Sequence, residues 1–314
     1  MRDSMADTHD FLIENLNESN YSESEIELII NGLSAKKITT FRVNVLKDSI
    51  ESIKETLDKL DITYSEDSNF PNSIILKDYF QKDGFDSSTG LKITTFSFYK
   101  EGQVYLQSLS SMLPVYVLDP HEKENILDMC AAPGSKTTMI QSICNNKVNL
   151  TAVELHKDRF EKLKYNCNKQ GANALLINKN ALDLDDMFKF DKILLDAPCS
   201  GSGTLDLSSN RYKSNFTPDL IKKCVTVQKK LIKKSYKLLN SGGVLIYSTC
   251  SLLKEENEDI VDFALENGFD IDFCKLNLKS NSFSKGSSVN ENVYIKVFPD
   301  SIWEGFFVAK LHKK

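Results

Sequence analysis

The sequence predicts an α/β fold, in which a mostly parallel sheet with an antiparallel C-terminal edge follows a small N-terminal α+β domain. From about residue 96, continuous apolar runs alternate with amphipathic stretches. Continuous apolar strands separated by helices are typical of a parallel sheet that is covered by helices on both faces. We therefore divide the chain into an N-terminal domain, 1–95, and a larger domain, 96–314.

The N-terminal domain is predicted to contain a helix followed by a strand–helix–strand unit. Its helix has a capping box, Ser22 with Glu25, and Gly32 stands at the expected C-cap position. Alternation and helical spacing of apolar residues predict the rest of the unit. The strand, the helix and the second strand are assigned to 37–46, 48–60 and 72–78.

Five apolar runs in the larger domain are predicted strands of one sheet. They are 125–130, 149–155, 174–178, 192–197 and 242–250. The amphipathic stretches 157–171 and 218–239 are predicted helices that cover this sheet. Two further strand-like runs within 292–314 predict the antiparallel edge.

The composition is that of an ordinary globular protein, with 314 residues, 41% of them hydrophobic and 26% charged. The net charge of −5 gives no general argument for nucleic-acid binding, so such a site would be a local basic patch. No apolar run approaches the roughly 18 residues of a membrane helix, and the N-terminus lacks the apolar core of a signal peptide. We therefore expect a cytoplasmic monomer that does not bind a membrane.

Cysteine and histidine usage argues against a metal site. The chain has seven cysteines, none in a C-x-x-C pair, and four histidines. We therefore expect no bound metal, and the odd cysteine count without an export signal predicts reduced thiols. Four cysteines are interpreted as small buried hydrophobic residues. They are Cys144, Cys167, Cys224 and Cys274.

Residues 127–138, LDMCAAPGSKTT, follow the first predicted strand of the sheet and begin a helix. Ligands of doubly wound sheets bind at the carboxyl ends of the strands, where small residues let the backbone approach closely. A phosphate-binding P-loop is a poor match, because it requires glycine where Cys130 and Ser135 stand. Glu154, which ends the second strand, is suited to ribose hydroxyls or else stabilises a helix N-terminus. Loop and acid together favour S-adenosylmethionine (SAM) over NAD, which would require G-x-G-x-x-G.

Two further cysteines stand directly after neighbouring predicted strands. Cys199 lies in LLDAPCSGSGT (194–204) and Cys250 lies in LIYSTCSL (245–252). Because the carboxyl ends of parallel strands meet at one edge of a sheet, both thiols are expected to face the cleft of the first loop. A redox pair is an alternative, although no C-x-x-C motif supports it.

Methylation of carbon 5 of a pyrimidine explains two thiols at one cleft. That carbon is a weak nucleophile, and a thiolate that adds to carbon 6 turns the ring into an enamine-like species able to attack a methyl sulfonium. One cysteine makes this bond, and the second assists its release. Asp196, three residues before Cys199, is placed to bind ring nitrogen 3, either protonated or sharing a proton with the base.

These motifs resemble those of the Sun-type (Nol/Nop/Sun, RsmB-like) RNA cytosine-C5 methyltransferases. The resemblance extends over nearly the whole chain from about residue 36. It rests on LDMCAAPGSKTT, VELHKDRFEKLKYNCNKQGA, LLDAPCSGSGT, GGVLIYSTCSLLKEENEDIV and GFFVAKL, with FRVNVLK and GQVYLQSLSSMLPVYVLDP upstream. It implies a Rossmann-like, SAM-dependent methyltransferase domain, an N-terminal RNA-binding domain, and ribosomal or transfer RNA as the substrate.

The resemblance also implies roles for particular residues. Cys250 of the T-C motif is the nucleophile, and Cys199 of the P-C motif aids product release. DNA cytosine-C5 enzymes instead use the P-C cysteine as the nucleophile, so they are a poorer match. Lys136 and Asp196 complete the implied catalytic set. The implied SAM-binding residues are Cys130, Ala131, Ala132, Pro133, Gly134, Ser135, Lys136, Glu154, Arg159, Asn180 and Asp196.

Three of these positions leave alternatives open. Ser135 replaces the second glycine of the family's P-G-G-K loop, and its small size is compatible with binding. Asn180 stands where the family carries an acid near the adenine, and Asp183 is the alternative. Arg159 either approaches the ligand or forms a salt bridge on a helix surface.

Seven lysines between residues 222 and 237 form a candidate basic patch. Those at 222, 229, 233 and 237 are predicted to share a helical face, which either contacts RNA phosphates or is a solvated surface. Further candidates for RNA contact are Lys36, Lys37, Arg42, Lys47, Arg211 and Lys213. Two functions of other classes also stay open, an RNA-binding ribosome-assembly factor with a vestigial site and a P-loop ATPase.

Overall fold

The computed structural model describes residues 3–80, 92–208, 216–272, 274, 289–290 and 294–314. The helices in these ranges are α1 (Asp3–Glu18), α2 (Glu23–Ser34), α3 (Ile50–Lys59), α4 (Ser97–Lys100), α5 (Leu109–Leu118), α6 (Ser135–Ile143), α7 (Lys157–Gln170), α8 (Pro218–Leu238) and α9 (Glu258–Glu266). The strands of the small domain are β1 (Ile38–Val43), β2 (Tyr64–Glu66), β3 (Ser73–Phe80) and β4 (Val104–Leu106). The other strands are β5 (Asn125–Asp128), β6 (Asn149–Glu154), β7 (Leu175–Asn178), β8 (Phe190–Asp196), β9 (Leu239–Thr249), β10 (Phe269–Asp272), β11 (Val289–Asn290), β12 (Tyr294–Val297) and β13 (Phe306–Lys313).

The main sheet has the strand order β11-β12-β13-β9-β8-β5-β6-β7, and β10 also pairs with β13. Strands β5 to β9 run parallel to one another, whereas β13 is antiparallel to β9, β10 and β12. The predicted α/β class, with its antiparallel C-terminal edge, is confirmed. Strand order reverses direction at β5 and β8, which makes the carboxyl ends of these two strands the expected ligand crevice.

Apolar side chains cover both faces of the main sheet. On one face, α5 and α6 pack Met112, Leu113 and Ile140 onto the strands. On the other face, α8 and α9 contribute Ile232 and Ile260. This double covering explains why the parallel strands read as continuous apolar runs. Among the described helices, none combines the length and the apolar character needed to cross a membrane.

The small sheet has the order β2-β3-β1-β4 and is antiparallel throughout. Helix α3 packs Ile53 and Leu57 against it, with Phe41 of β1 in the same core. Its fourth strand, β4, comes from residues beyond 95, where the sequence analysis places the domain boundary. A strand of three residues carries no periodicity that would reveal it, and its pairing with β1 is a long-range contact.

Helices α1 and α2 pack against the larger domain rather than against the small sheet. Leu16 and Ile29 share an apolar cluster with Phe216, Leu252 and Phe298. The two N-terminal helices therefore pack against, and stabilise, the segments that follow β9 and β12.

The predicted capping box of α2 is confirmed, but the predicted C-cap is wrong. Ser22 Oγ accepts from the Glu25 N–H, and Glu25 Oε2 accepts from the Ser22 N–H. The helix continues past Gly32 and is capped by Ala35. A Cβ atom on Gly32 would lie 1.7 Å from the carbonyl oxygen of Pro299, so this glycine serves a close approach of two backbones.

Candidate active site

The two cysteines that follow neighbouring strands meet at the carboxyl edge of the main sheet. Strands β8 and β9 pair in parallel up to Asp196 and Ser248. Cys199 and Cys250 follow, and their sulfur atoms lie 3.3 Å apart. The fold therefore brings the two thiols into direct contact.

Backbone contacts join the loops that carry the thiols, the P-C loop (197–204) and the T-C loop (249–253). The Gly203 N–H donates to the Cys250 carbonyl at 2.9 Å, and the Gly305 N–H donates to the Gly203 carbonyl at 2.9 Å. A Cβ atom on Gly203 would lie 2.3 Å from the Gly305 oxygen, which excludes a side chain there. Three segments that are distant in sequence thus close around the thiols.

The contact with Cys250 keeps a proton on Cys199. The hydrogen bond to Cys250 is the largest cause that raises the pKa of Cys199 well above its ordinary value. Burial acts in the same direction, as do the negative charges of an ionised Cys250 and of Glu256. Cys199 therefore stays a thiol at neutral pH.

Lys136 and Asp196 form an ion pair beside the thiols. Lys136 lies in the first turn of α6, behind Gly134, whose φ of 104° favours glycine. Its Nζ lies 2.8 Å from Asp196 Oδ2 and 2.8 Å from Ser111 Oγ. The other carboxylate oxygen of Asp196 accepts from Ser248 Oγ at 2.8 Å. Both charged groups are thus held in fixed positions.

A cavity of about 210 Å³ connects the first loop, the ion pair and Cys250. It is lined by Ser111, Asp128, Cys130, Ala131, Ala132, Pro133, Ser135, Lys136, Asp196, Thr204, Cys250, Glu304 and Phe306. Cys250 faces this space, and Cys199 is not one of the lining residues. A larger cavity of about 700 Å³ lies along β7 at the amino ends of the strands and is lined by none of the predicted site residues.

Asp128, at the end of β5, is a site residue that the sequence analysis did not assign. It is 1% exposed, and its Oδ2 accepts from Thr137 Oγ1 at 2.6 Å. Its Oδ1 is buried and has no hydrogen-bond partner among the described residues. Burial raises the pKa of Asp128 to about 7. A buried, unpaired carboxylate oxygen at a cavity wall fits a cationic ligand group.

Glu154 and Arg159 lie behind the first loop. Glu154 is 3% exposed, and its Oε1 accepts from the His156 N–H at 2.9 Å. Arg159 Nη1 lies 3.7 Å from Glu154 Oε2, and its Nη2 donates to the Ala132 carbonyl at 2.7 Å. Arg159 therefore forms an ion pair, and it also ties α7 to the loop.

Asn180 and Asp183 flank the short turn that follows β7. The side-chain oxygen of Asn180 accepts from the Leu182 N–H at 3.1 Å, which caps this turn. Asp183 is exposed, and neither residue lines the 210 Å³ cavity. Contact of either side chain with an adenine stays a prediction.

The predicted role of Arg42 in an exposed RNA-binding patch is wrong, because Arg42 is only 3% exposed. Its Nε donates to Gln107 Oε1 at 2.9 Å and its Nη2 donates to Thr138 Oγ1 at 2.6 Å, which joins β1 to α6. Lys37 Nζ is likewise turned inward and donates to the Gly32 carbonyl at 3.0 Å. Among the four basic residues predicted from this domain, Lys36 and Lys47 are exposed.

The lysines at the start of α8 lie beyond the carboxyl edge of the sheet, whereas those at its other end lie lower along the sheet. Gln228 Nε2 donates to the Pro198 carbonyl at 2.9 Å, so the residues before Gln228 project beyond the carboxyl edge. Lys222 and Lys223 are exposed in that projecting part. Lys237 Nζ, at the other end, lies 3.6 Å from Asp186 Oδ2.

The four lysines predicted to share a face lie on one continuous helix, and their side-chain ends have different neighbours. Lys229 and Lys233 both lie over the ring of Phe263, each with Nζ 5.2 Å from its centroid. Lys237 points elsewhere, toward Asp186. Two more candidates for RNA contact, Arg211 and Lys213, lie outside the described residues.

The fold is that of the Rossmann-type methyltransferases, and the first loop and both thiols lie together at the carboxyl ends of its parallel strands. Residues 115–312 match the model of the 16S rRNA methyltransferase RsmB/F family, and the chain belongs to this family.

Curated relatives agree with this assignment. The chain is 39% identical over 224 residues to ribosomal RNA small subunit methyltransferase F of Shewanella piezotolerans, a match that covers 68% of the chain and 46% of the relative. It is 36% identical over 219 residues to a tRNA (cytosine(72)-C(5))-methyltransferase of Pyrococcus horikoshii, a match that covers 68% of the chain and 54% of the relative. The chain spans about half the length of the curated relatives it matches.

Solved structures cover nearly the whole chain. The structure of NSun6 from Pyrococcus horikoshii with SFG has a TM-score of 0.82 at 25% identity and covers 96% of this chain and 97% of that one. A methyltransferase homolog protein from the same organism has a TM-score of 0.75 at 28% identity and covers 96% and 99%. The small domain and the main sheet thus occur together in known methyltransferases.

Proposed function

We propose that this protein methylates carbon 5 of a cytosine in ribosomal or transfer RNA, with SAM as the methyl donor. The observation that carries the proposal is the contact between Cys199 and Cys250 beside the Lys136–Asp196 ion pair. Two thiols at one cleft match a reaction in which one adds to a pyrimidine and the other helps to release it. Family membership and the RNA substrates named for the relatives support the same reaction.

The residues at the carboxyl ends of β5 and β8 fit SAM. Cys130 to Ser135 offer a wall of small side chains, and Asp128 offers an unpaired carboxylate oxygen for a cationic group. SFG, with which the NSun6 neighbour was solved, is a SAM analogue. When bound, SAM supplies an electrophilic methyl group on a sulfonium sulfur. Glu154 stands where a ribose-binding acid is expected, and its role stays a proposal.

Cys250 adds to the ring in the first step. Its thiolate attacks carbon 6, a C–S bond forms, and the electron pair of the 5,6 double bond makes carbon 5 nucleophilic. Cys199, which keeps its proton, donates a hydrogen bond to this thiolate and so stabilises it before attack. Cys250 is also the thiol that lines the cavity.

The ion pair holds the ring while its charge changes. Lys136 Nζ is a fixed cationic donor for the negative charge that develops on the ring during addition. Asp196 fixes that ammonium group and offers acceptor oxygens to the ring edge. Preorganised charges of this kind need no rearrangement at the moment of reaction.

Cys199 becomes the base for release. Once Cys250 is a thioether, it no longer carries the charge that helps to hold a proton on Cys199, so the pKa of Cys199 falls. Cys199 releases its own proton to solvent, and the resulting thiolate takes the proton from carbon 5. The double bond then re-forms, and the C–S bond breaks to return Cys250 as a thiolate.

Trapping of the covalent adduct tests the proposal. Purified Cys199→Ala protein with SAM and total cellular RNA is expected to give a slow, nuclease-sensitive band on a denaturing gel, because addition survives and release stalls. Cys250→Ala is expected to abolish both the band and the methylated product. The matched control is Cys144→Ala, which changes a buried thiol that does not line the 210 Å³ cavity. Full methylation by Cys250→Ala would contradict the assignment of roles.

An RNA-binding assembly factor with a vestigial site is the alternative function. The engagement of Asn180 in its own turn favours it, because one of the two lone pairs of that oxygen is already used by the Leu182 N–H. Calorimetric titration with SAM discriminates the two functions. Absence of both SAM binding and a Cys199→Ala adduct would favour the assembly factor.

A further inference from the structure

We propose that Glu256 is a positioning residue that clasps the P-C loop to the T-C loop and thereby sets the separation of the two thiols. Ser200 and Ser251, the residues that directly follow the two cysteines, both hydrogen-bond to its carboxylate. The inference depends on the proposed function in one respect: the proposed function assigns the two thiols to successive steps, addition and release.

The carboxylate of Glu256 is fully buried between the two loops. Its Oε1 accepts from the Ser200 N–H at 2.8 Å and from Gln228 Nε2 at 3.3 Å. Its Oε2 accepts from Ser200 Oγ at 2.5 Å and from Ser251 Oγ at 2.6 Å. Four donors from three segments therefore converge on one carboxylate.

The clasp itself is rigid. Glu256 ends the short turn Lys254–Glu256, and its carbonyl accepts from the buried Tyr247 hydroxyl at 2.5 Å. Ser202 Oγ lies 3.0 Å from Ser251 Oγ and accepts from the Leu252 N–H at 2.8 Å, which adds a second link between the loops. Neither loop can shift without breaking bonds to the other.

Glu256 is held by hydrogen bonds rather than by a cation. Among the described ion pairs, none involves this carboxylate. A buried carboxylate is costly unless its oxygens are satisfied, and charge-assisted hydrogen bonds are roughly twice as strong as neutral ones. A glutamine in its place would keep the shape but present two donors, which match the hydroxyls poorly and weaken the clasp.

Loosening the clasp is expected to affect release more than addition. Cys250 alone forms the bond to carbon 6, whereas release requires Cys199 to reach the same ring while Cys250 is still attached. Misplacement of a catalytic group by about 1 Å can cost on the order of 100-fold in rate. A Glu256 variant should therefore accumulate the covalent adduct, as a weaker form of Cys199→Ala.

The first arm of the test compares Glu256→Gln with Glu255→Gln, an exposed neighbour in the same turn. In steady-state turnover, Glu256→Gln is expected to methylate about tenfold more slowly and to carry several-fold more adduct than the wild type. Glu255→Gln is expected to match the wild type. Loss of product and adduct in equal proportion would assign Glu256 a merely structural role.

The second arm needs neither RNA nor SAM, so it holds even if the proposed function fails. Diamide takes two hydrogen atoms from Cys199 and Cys250 and leaves a disulfide, at a rate that depends on how closely the thiols are held. We expect wild type and Glu255→Gln to oxidise at the same rate. Glu256→Gln should oxidise about tenfold more slowly, even though loss of the Glu256 charge lowers the pKa of Cys199 and by itself favours oxidation. Wild-type rates of oxidation and methylation in Glu256→Gln would overturn the proposal. Should that variant not fold, Ser200→Ala and Ser251→Ala, which each remove one donor, carry the same expectations in weaker form.

Discussion

The sulfur of Cys199 lies 3.3 Å from the sulfur of Cys250, and this contact is the largest cause of the raised pKa of Cys199. The two thiols therefore act as one unit that holds a proton on Cys199. Whatever removes the charge or the hydrogen bond of Cys250 also makes Cys199 easier to ionise.

Replacement of Cys250 by alanine is expected to lower the pKa of Cys199. Burial still raises it, but the hydrogen bond and the charge of the partner are gone. The rate of Cys199 alkylation by iodoacetamide, followed by mass spectrometry across pH 6 to 11, should reach its midpoint at lower pH than in the wild type. An unchanged midpoint would show that Cys250 does not hold the proton on Cys199.

Lys136→Met is expected to slow methylation by about 100-fold, because a preorganised cation beside the ring is lost. Adduct formation in the Cys199→Ala background should fall as well, since charge develops on the ring during addition. The free energy of unfolding should fall by only about 1 kcal/mol, because Asp196 is 30% exposed and water can hydrate its carboxylate once Lys136 is gone. The control is Lys147→Met, which breaks an exposed pair with Glu122. Wild-type activity in Lys136→Met would remove Lys136 from the mechanism.

Asp128→Asn is expected to change how stability depends on pH. The folded-state pKa of Asp128, about 7, lies above its unfolded value of 3.8, so the folded state binds the extra proton between these values. The contribution of Asp128 to the stability of the wild type is therefore lost as the pH rises from 3.8 to about 7. Relative to the wild type, the free energy of unfolding of Asp128→Asn, measured with urea, should rise by about 3 kcal/mol between pH 5 and pH 8.

The exposed Asp183→Asn is the control for this experiment and should show no such gain. A stability difference between Asp128→Asn and the wild type that is the same at pH 5 and pH 8 would mean that Asp128 is ionised in the folded protein at both values.

Lys222 and Lys223 are expected to contact RNA phosphates, because they project past the sheet edge that carries the thiols. The double variant to glutamine should bind RNA more weakly and reduce the slope of log affinity against log salt by about 2. The control pair, Lys230→Gln with Lys233→Gln, changes the same helix beyond Gln228. If the two double variants weaken RNA binding equally, the lysines act through the general electrostatic field of the helix rather than through a local contact.

The parallel strands and the meeting of the thiols could be predicted from the sequence. Buried parallel strands leave continuous apolar runs, and their carboxyl ends share one edge, so Cys199 and Cys250 had to lie close together once their strands were neighbours. Local chemistry also sufficed for the capping box of Ser22, which involves only residues within one turn.

What could not be predicted depends on long-range contacts. In the sequence, Gly32 resembles a helix C-cap, yet in the fold it packs closely against the backbone of Pro299. Arg42 has the appearance of a surface cation, yet Gln107 and Thr138 bury it. Asp128 is different, because an acid at a strand end is the same signal that identified Glu154 and was open to the same reasoning.

The close packing of Gly203 on Gly305 has a consequence for biosynthesis. The ribosome makes both cysteine loops well before it makes the stretch that contains Gly305 and Phe306, which close one wall of the cavity. A nascent chain that ends at the T-C loop holds its thiols without that wall. The wall of the cavity is therefore complete only when β13, which carries Phe306, takes its place between β9 and β12.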